Sequence, residues 1–156
     1  MIEIVSAREE HVPAVVGLWH EMMAFHAGLD PFYTLAGDAR ERAGEFLRAN
    51  MASPDSLVLV ALDGQTVAAF CLCFIAAHPP VFPVREYGLI SDFAVTERYR
   101  RRGIGTMLVG RVREWFAGRG IGRIELHVST FNRVGRPFWE KQGFSEYEAL
   151  MWLDNR

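Results

Sequence analysis

The chain has 156 residues, of which 50% are hydrophobic and 23% are charged, and its formal net charge is −2. This length and composition suit a soluble globular protein, so we expect one domain over residues 1–156. The slightly acidic balance argues against a general nucleic-acid surface, and no stretch reaches the roughly 18 uncharged apolar residues of a membrane span. The N-terminus lacks the basic start and apolar core of a signal peptide, so we expect a cytoplasmic protein.

The N-terminal third of the chain predicts a strand followed by two helices. Residues 2–5 form a short apolar strand, and apolar residues recur at helical spacing from about residue 9 to residue 25. Residues 27–38 contain two glycines and a proline, which end the first helix, and a second helix runs from about residue 39 to residue 51. We therefore expect a helix, a loop and a helix packed on a sheet.

Two apolar runs with many β-branched residues, 56–62 and 66–76, flank the turn Asp63-Gly64-Gln65. This arrangement predicts an antiparallel hairpin. Cys71 and Cys73 lie two residues apart on the second strand and therefore point to the same face. Two thiols at this spacing are typical of buried cysteines rather than of a disulfide, which suits a reducing compartment.

The most informative stretch is residues 89–105, which reads Leu-Ile-Ser-Asp-Phe-Ala-Val-Thr-Glu-Arg-Tyr-Arg-Arg-Arg-Gly-Ile-Gly. A strand from Tyr87 to Val95 is followed by an arginine-rich turn and by a helix that begins near Gly103 and Gly105. The N–H groups of a first helical turn have no intrahelical partners, and the helix dipole attracts anions to that end. Glycine lets a ligand oxygen approach the backbone closely. The stretch therefore predicts a phosphate-binding site, although the arginines alone would rather favour a solvated surface.

The helix after this turn runs to about residue 117, with one apolar stripe formed by Ile104, Leu108, Val112, Trp115 and Phe116. A glycine-rich break precedes a strand over residues 123–128, and a strand, a helix and a strand in this order imply a parallel pair. A last helix is expected over about 134–141, with strand material over 144–153. No spacing of histidine, cysteine or acidic residues fits a metal site, so we expect no metal.

The run Arg100-x-x-Gly103-x-Gly105, placed between a strand and an amphipathic helix, resembles the coenzyme A pyrophosphate loop of the GCN5-related N-acetyltransferases. A second similarity covers residues 132–144, and the order of predicted elements resembles this family over nearly the whole chain. The resemblance implies an α/β (α+β) fold, in which helices flank a mixed, centrally splayed β-sheet. It also implies acetyl-CoA as the co-substrate and an amine acceptor as the other partner. On charge and hydropathy we expect neither nucleic acid nor a membrane as a partner.

The resemblance also assigns a cofactor site. The pantetheine arm would lie along the strand at Phe93, Ala94 and Val95, and the pyrophosphate would contact the following turn. Asn132 would contact the arm, although an asparagine after a strand is more often a turn residue or a helix cap. The turn residues expected at the pyrophosphate are Arg100, Arg101, Arg102, Gly103, Ile104, Gly105 and Thr106.

The catalytic positions follow from the same resemblance. An amine with a pKa of about 10.4 must lose a proton before it attacks a thioester, and Asp92 beside Ser91 is the candidate base. A structural role for Asp92 is equally open. Trp139 stands where the family often has a tyrosine that protonates the leaving thiolate, and an indole N–H cannot deliver that proton. Tyr147 or water could supply it, or the protein could bind acyl-CoA without efficient turnover.

The sequence is therefore compatible with two functions. The first is an acetyl-CoA-dependent N-acetyltransferase that acts on a primary amine of a small molecule or peptide by direct attack. The alternative is a non-catalytic acyl-CoA-binding sensor. Aromatic and acidic residues expected near the acceptor would suit a cationic amine but would equally suit a core or a dimer face, so homodimer formation stays open. They are Trp19, His26, Asp30, Phe32, Tyr33, Phe82, Glu86, Tyr87, Tyr147 and Trp152.

Overall fold

The computed structural model describes residues 1–156, which form five strands and four α-helices. The strands are β1 (Ile2–Ser6), β2 (Ser56–Asp63), β3 (Thr66–Ala77), β4 (Glu86–Val95) and β5 (Ile124–Leu126). The helices are α1 (Val12–Leu29), α2 (Ala39–Ala52), α3 (Ile104–Gly118) and α4 (Gly135–Lys141). None of these helices combines the length and the apolar character that crossing a membrane requires.

The strands form one mixed sheet in the order β1-β2-β3-β4-β5. The first three pairings are antiparallel and the β4–β5 pairing is parallel, so the predicted hairpin and the predicted parallel pair are both confirmed. The hairpin turns at Gly64, whose φ of +60° is a left-handed conformation that glycine adopts without steric penalty. This mixed sheet flanked by helices is the fold class that the sequence predicted.

Helices cover both faces of the sheet, which explains the unbroken apolar run of β3. Cys71 and Cys73 belong to the core cluster that contains Leu108 and Phe116 of α3. Phe70 and Leu72 lie on the other face of the sheet, towards α1 and α2. A strand buried on both faces needs apolar residues at every position rather than at alternate ones. Both cysteines are free and buried, and the hydrogen bond to Cys73, together with burial, raises the pKa of the Cys71 thiol. The pair therefore behaves as core residues.

The boundaries of α1 differ from the prediction at both ends. Residues 9–11 form a short 3₁₀ turn, and the α-helix begins at Val12 and continues through Gly28 to Leu29. The helix ends at Leu29 because Asp30, the residue before a proline, is driven to extended angles and has φ −147° and ψ 113°. The proline is therefore the stronger stop signal here, since a single glycine weakens a helix without ending it.

The predicted C-terminal strand is wrong, and β5 is shorter than expected. Pairing between β4 and β5 covers only Gly88–Ile90 and Ile124–Leu126, and residues 144–153 join no strand. The side chains of Leu150, Met151, Trp152 and Leu153 are exposed. An apolar run has the composition of a strand, but a strand also needs hydrogen bonds to a neighbouring backbone. The free edge of β5 is only three residues long, so it offers few backbone groups to which residues 144–153 could bond.

Candidate active site

The two parallel strands, β4 and β5, separate beside the predicted cofactor stretch. Pairing with β5 ends at Ile90, yet residues 92–95 of β4 continue to pair with β3 on their other side. The edge of β4 from Ser91 to Val95 that faces away from β3 therefore has no strand partner. Backbone N–H and C=O groups along such an edge are available to a ligand that lies in the gap like an added strand.

A β-bulge at Ser91 determines which side chains border this gap. Leu72 pairs with Asp92 and Cys73 pairs with Ile90, so Ser91 has no partner on β3. Strict alternation would send the side chains of Ser91 and Asp92 to opposite faces of the sheet, but a bulge breaks the alternation. Both residues line the same cavity, on the face covered by α1 and α2. The hydroxyl of Ser91 donates to Asp92 Oδ2 at 2.9 Å.

The environment of Asp92 suits a proton acceptor. Burial raises the pKa of the carboxyl group, and the hydrogen bond from Ser91 opposes this effect only in part. No salt bridge involves Asp92. A carboxylate whose pKa lies above its ordinary range holds a proton more tightly and is a better general base near neutral pH.

The arginine-rich turn has the geometry of an anion site. Arg101 has φ +59° and Gly103 has φ +77°, both in the left-handed region, and α3 begins at the next residue, Ile104. No side chain caps this helix, and Met107 N–H is the donor to the Gly103 carbonyl. The N–H groups before Met107 in the first turn are therefore left for a ligand, and alternating backbone angles of this kind form an anion-binding concavity. The residues present fit a pyrophosphate.

Tyr99 anchors this turn, a role that the sequence analysis missed. Its ring is buried, and its hydroxyl donates to Asp63 Oδ2 at 2.8 Å, at the β2–β3 turn. The guanidinium carbons of Arg98 and Arg102 lie 5.0 and 5.4 Å from the ring centroid. The hydrogen bond to Asp63 is the main reason that the pKa of Tyr99 is raised. An aromatic residue within a basic run was the only sequence signal for this anchor.

Arg100 and Gly105 both make contacts within the protein. Arg100 Nε donates to the Val95 carbonyl at 3.1 Å, which ties the turn to the end of β4. A Cβ atom on Gly105 would lie 2.9 Å from two ring atoms of Phe138, a distance that real Cβ contacts do not show. Glycine at position 105 is therefore required by the packing of α4 against α3, whatever a ligand requires. A Cβ on Gly103, in contrast, would enter open space.

Of the other predicted cofactor residues, Thr106 lies in α3, Trp139 lies in α4 and Asn132 lies just before α4. Asn132 Oδ1 accepts the Gly135 N–H at 2.8 Å just before α4, a local contact of the kind that a turn residue makes. The Trp139 ring lies 4.9 Å from the Phe93 ring and 5.3 Å from the Phe144 ring, between centroids. Trp139 therefore packs beside the exposed edge of β4 as part of an aromatic cluster. Thr106 Oγ1 accepts from the amide of Gln142 at 3.0 Å.

The Tyr147 hydroxyl is bonded to a side chain of β5 and not to Ser91 or Asp92. It donates to Glu125 Oε1 at 2.6 Å, and Glu125 lies opposite Leu89 in the β4–β5 register. Leu89 precedes Asp92 by three positions, or about 10 Å along a strand. Burial favours the neutral form of Glu125, but the bonds from Tyr147 and Arg123 outweigh it and lower the pKa of Glu125. The bond to Glu125 raises the pKa of Tyr147.

An open cavity of about 510 Å³ lies between α1, α2 and the sheet, and Ser91 and Asp92 belong to its lining. This volume is within the ~300–1,000 Å³ typical of small-molecule sites. Of the residues expected around an acceptor, only Trp19 lines the cavity. The others do not: His26, Asp30, Phe32, Tyr33, Phe82, Glu86, Tyr87, Tyr147 and Trp152. The large apolar lining residues are Trp19, Met23, Phe46, Leu47, Phe70 and Leu72.

Comparison with known proteins identifies the class. The family described as acetyltransferase (GNAT) family matches residues 19–144, which include the bulged strand, the arginine-rich turn and α4. This match covers most of the chain. The chain belongs to the GNAT acetyltransferase family, and the resemblance inferred from the sequence is confirmed.

Individual relatives agree with this assignment. The chain is 36% identical over 70 residues to a protein of Methanocaldococcus jannaschii named uncharacterized N-acetyltransferase MJ1207, covering 44% of this chain and 31% of the relative. The chain spans less than half the length of the curated relatives it matches.

Solved structures match the fold along almost the whole chain. A tetramutant of the BH1408 protein from Bacillus halodurans has a TM-score of 0.87 at 22% identity, covering 97% of this chain and 99% of the other. A predicted acetyltransferase from Clostridium acetobutylicum, solved with acetyl-CoA, has a TM-score of 0.80 at 18% identity, covering 99% and 96%. At these identities the likeness shows the shared fold.

Proposed function

We propose that this protein is an acetyl-CoA-dependent N-acetyltransferase whose acceptor is a primary amine. The observation that carries the proposal is the bulge at Ser91. It brings a half-buried carboxylate, Asp92, into a cavity at the point where the edge of β4 loses its β5 partner. The site thus combines a slot for an extended ligand, an anion-binding helix N-terminus and a proton acceptor.

In this proposal the cofactor is held by backbone groups. The pyrophosphate binds the N–H groups between Arg101 and Thr106, where Gly103 leaves open space. The pantetheine arm lies along the edge from Ser91 to Val95, beside the Phe93 and Trp139 rings. When bound, acetyl-CoA supplies the acetyl thioester to which an amine nitrogen forms its new bond while the carbon–sulfur bond breaks.

In the proposed reaction, the side chains of this site serve proton transfer. Asp92 accepts a proton from the ammonium form of the acceptor, directly or through one water, because the neutral amine is the nucleophile. Ser91 keeps the carboxylate oriented through its 2.9 Å hydrogen bond. The departing sulfur takes its proton from solvent in our proposal, since the hydroxyl of Tyr147 is bonded to Glu125 and Trp139 has no acidic proton at neutral pH.

Measurement of thiol release from acetyl-CoA over a panel of primary amines tests the proposal. We expect turnover with at least one amine. Asp92→Asn should lower kcat/KM by about 10²- to 10⁴-fold because it removes a general base, with the Kd for acetyl-CoA unchanged. Ser91→Ala is the matched control, since it keeps the carboxylate and should cost far less. Full activity in Asp92→Asn would remove Asp92 from the mechanism.

One observation favours the second function, an acyl-CoA-binding sensor. Trp139 occupies the position at which the resemblance implies an acid, and it packs against Phe93, Phe138 and Phe144. If Trp139 only packs, Trp139→Phe should keep most of the turnover. Tight binding of acetyl-CoA with no thiol release for any amine would support the sensor and contradict the transferase.

A further inference from the structure

The cavity beside Asp92 is apolar over nearly all of its wall. α1 contributes Trp19 and Met23, α2 contributes Phe46, and the sheet contributes Phe70 and Leu72. The polar lining residues are Ser91, Asp92 and Arg42. Because the wall offers so few hydrogen-bond partners, a polar ligand group buried against it would lose its hydration without replacement.

Few charged residues line this cavity. Asp92 is its only acidic lining residue, and Arg42 is its only basic one. The guanidinium of Arg42 is paired with Asp38, four residues earlier and directly before α2, so neither side chain offers an unpaired charge to a ligand. A ligand with one ammonium group can place that group at Asp92. A second ammonium group would find no free carboxylate among the lining residues.

We infer that the acceptor is a monoamine with an uncharged apolar body, such as an arylalkylamine or a branched or linear alkylamine, rather than a diamine, polyamine or aminoglycoside. This inference rests on the proposed function, because it takes Asp92 as the group that receives the reacting amine. The apolar body contacts Trp19, Met23 and Phe46, and its burial against these side chains contributes the binding free energy. Discrimination against a second charge comes from the wall, which cannot solvate that charge.

Two amines that differ by one charged group test the effect of a second charge. Hexylamine and 1,6-diaminohexane differ only at the far end of the chain, where a methyl group replaces an aminomethyl group. With saturating acetyl-CoA, we expect kcat/KM for hexylamine to exceed that for 1,6-diaminohexane by at least about 10-fold, because the far ammonium is unpaired or must reach solvent. 2-Phenylethylamine should also exceed spermidine and kanamycin. Equal or reversed preference within the hexylamine pair would overturn the inference.

A wall variant tests the physical reason for this preference. Phe46 is half exposed, so its replacement is compatible with folding. Phe46→Glu introduces a carboxylate into the wall and should reduce the preference for hexylamine by about 10-fold. Phe46→Gln introduces a side chain of the same size as glutamate but without its charge. This variant should lower kcat/KM for both amines alike. The same shift in both variants would contradict the electrostatic explanation.

Direct binding of acetyl-CoA separates this inference from the proposed function. If acetyl-CoA binds and polyamines or aminoglycosides are preferred, the acceptor class is wrong and the transferase proposal survives. If acetyl-CoA binds and no amine releases thiol, both are wrong. If acetyl-CoA does not bind to a folded protein, the proposed function fails at its first step and the inference fails with it.

Discussion

Replacement of Gly103 by aspartate should weaken the binding of coenzyme A far more than replacement by asparagine. Gly103 has φ +77° and ψ 3°, and a Cβ atom there would enter open space in front of α3. Asparagine and aspartate tolerate the left-handed region better than other residues with a side chain, and they share the same shape. The two variants therefore share the backbone penalty and differ by one negative charge. Gly105 is the less informative target, because any side chain there would first collide with Phe138.

The size of the effect follows from the position of the added charge. A carboxylate about 5 Å from one phosphate charge, at an effective dielectric constant of about 20, is repelled by about 3 kcal/mol. Counter-ions screen an exposed site, so between about 1 and 3 kcal/mol should remain at physiological ionic strength. This corresponds to a Kd for coenzyme A that is roughly 5- to 150-fold higher for Gly103→Asp than for Gly103→Asn.

Isothermal titration calorimetry of both variants with coenzyme A measures this ratio. The measurement should be repeated at high salt, where the ratio should shrink because the repulsion is electrostatic. Circular dichroism and thermal melts provide the folding control. Equal affinity of the two folded variants would refute the assignment of the pyrophosphate to this helix N-terminus.

Three further predictions concern stability and proton transfer. Because burial raises the pKa of Asp92 above its unfolded-state value, ionisation of this carboxyl group lowers the stability of the fold as the pH rises from the unfolded-state pKa to the folded-state pKa; Asp92→Asn should therefore be more stable than wild type at pH 7 in urea denaturation, with the gain absent at pH 3. Gly88→Ala would place a Cβ atom 2.5 Å from the Phe116 ring, so its free energy of unfolding should fall by about 1–3 kcal/mol, while the folded protein keeps its Kd for coenzyme A. Tyr147→Phe should keep kcat within about 10-fold of wild type, and a loss in the general acid–base range of about 10²-fold or more would assign the proton of the departing sulfur to Tyr147.

Features encoded by neighbouring residues could be predicted from the sequence. The hairpin at Gly64 and the buried stripe of α3 follow from turn chemistry and from spacing within one element, and the structure confirms both. The strand, turn and helix that form the proposed anion site are local in the same way. The separation of β4 from β5 was predicted from the family resemblance, and the register shows that pairing stops at Ile90.

Features that depend on distant pairs could not be read from the sequence. The bulge at Ser91 exists only relative to the register of β3, and the alternation rule gives the opposite orientation for one of the two side chains. The packing requirement at Gly105 comes from Phe138, on another helix. The anchor from Tyr99 to Asp63 spans 36 positions. The apolar wall of the cavity likewise appears only when α1, α2 and β3 come together.

The measurement that tests the central claim most directly is a crystal structure of this protein with coenzyme A. Pyrophosphate oxygens should lie within about 2.7–3.2 Å of backbone N–H groups between Arg101 and Thr106, the range of a hydrogen bond. The pantetheine arm should follow the edge of β4 from Ser91 to Val95, with its sulfur near the cavity that contains Asp92. Coenzyme A bound at any other surface, or with its arm away from this edge, would contradict the account.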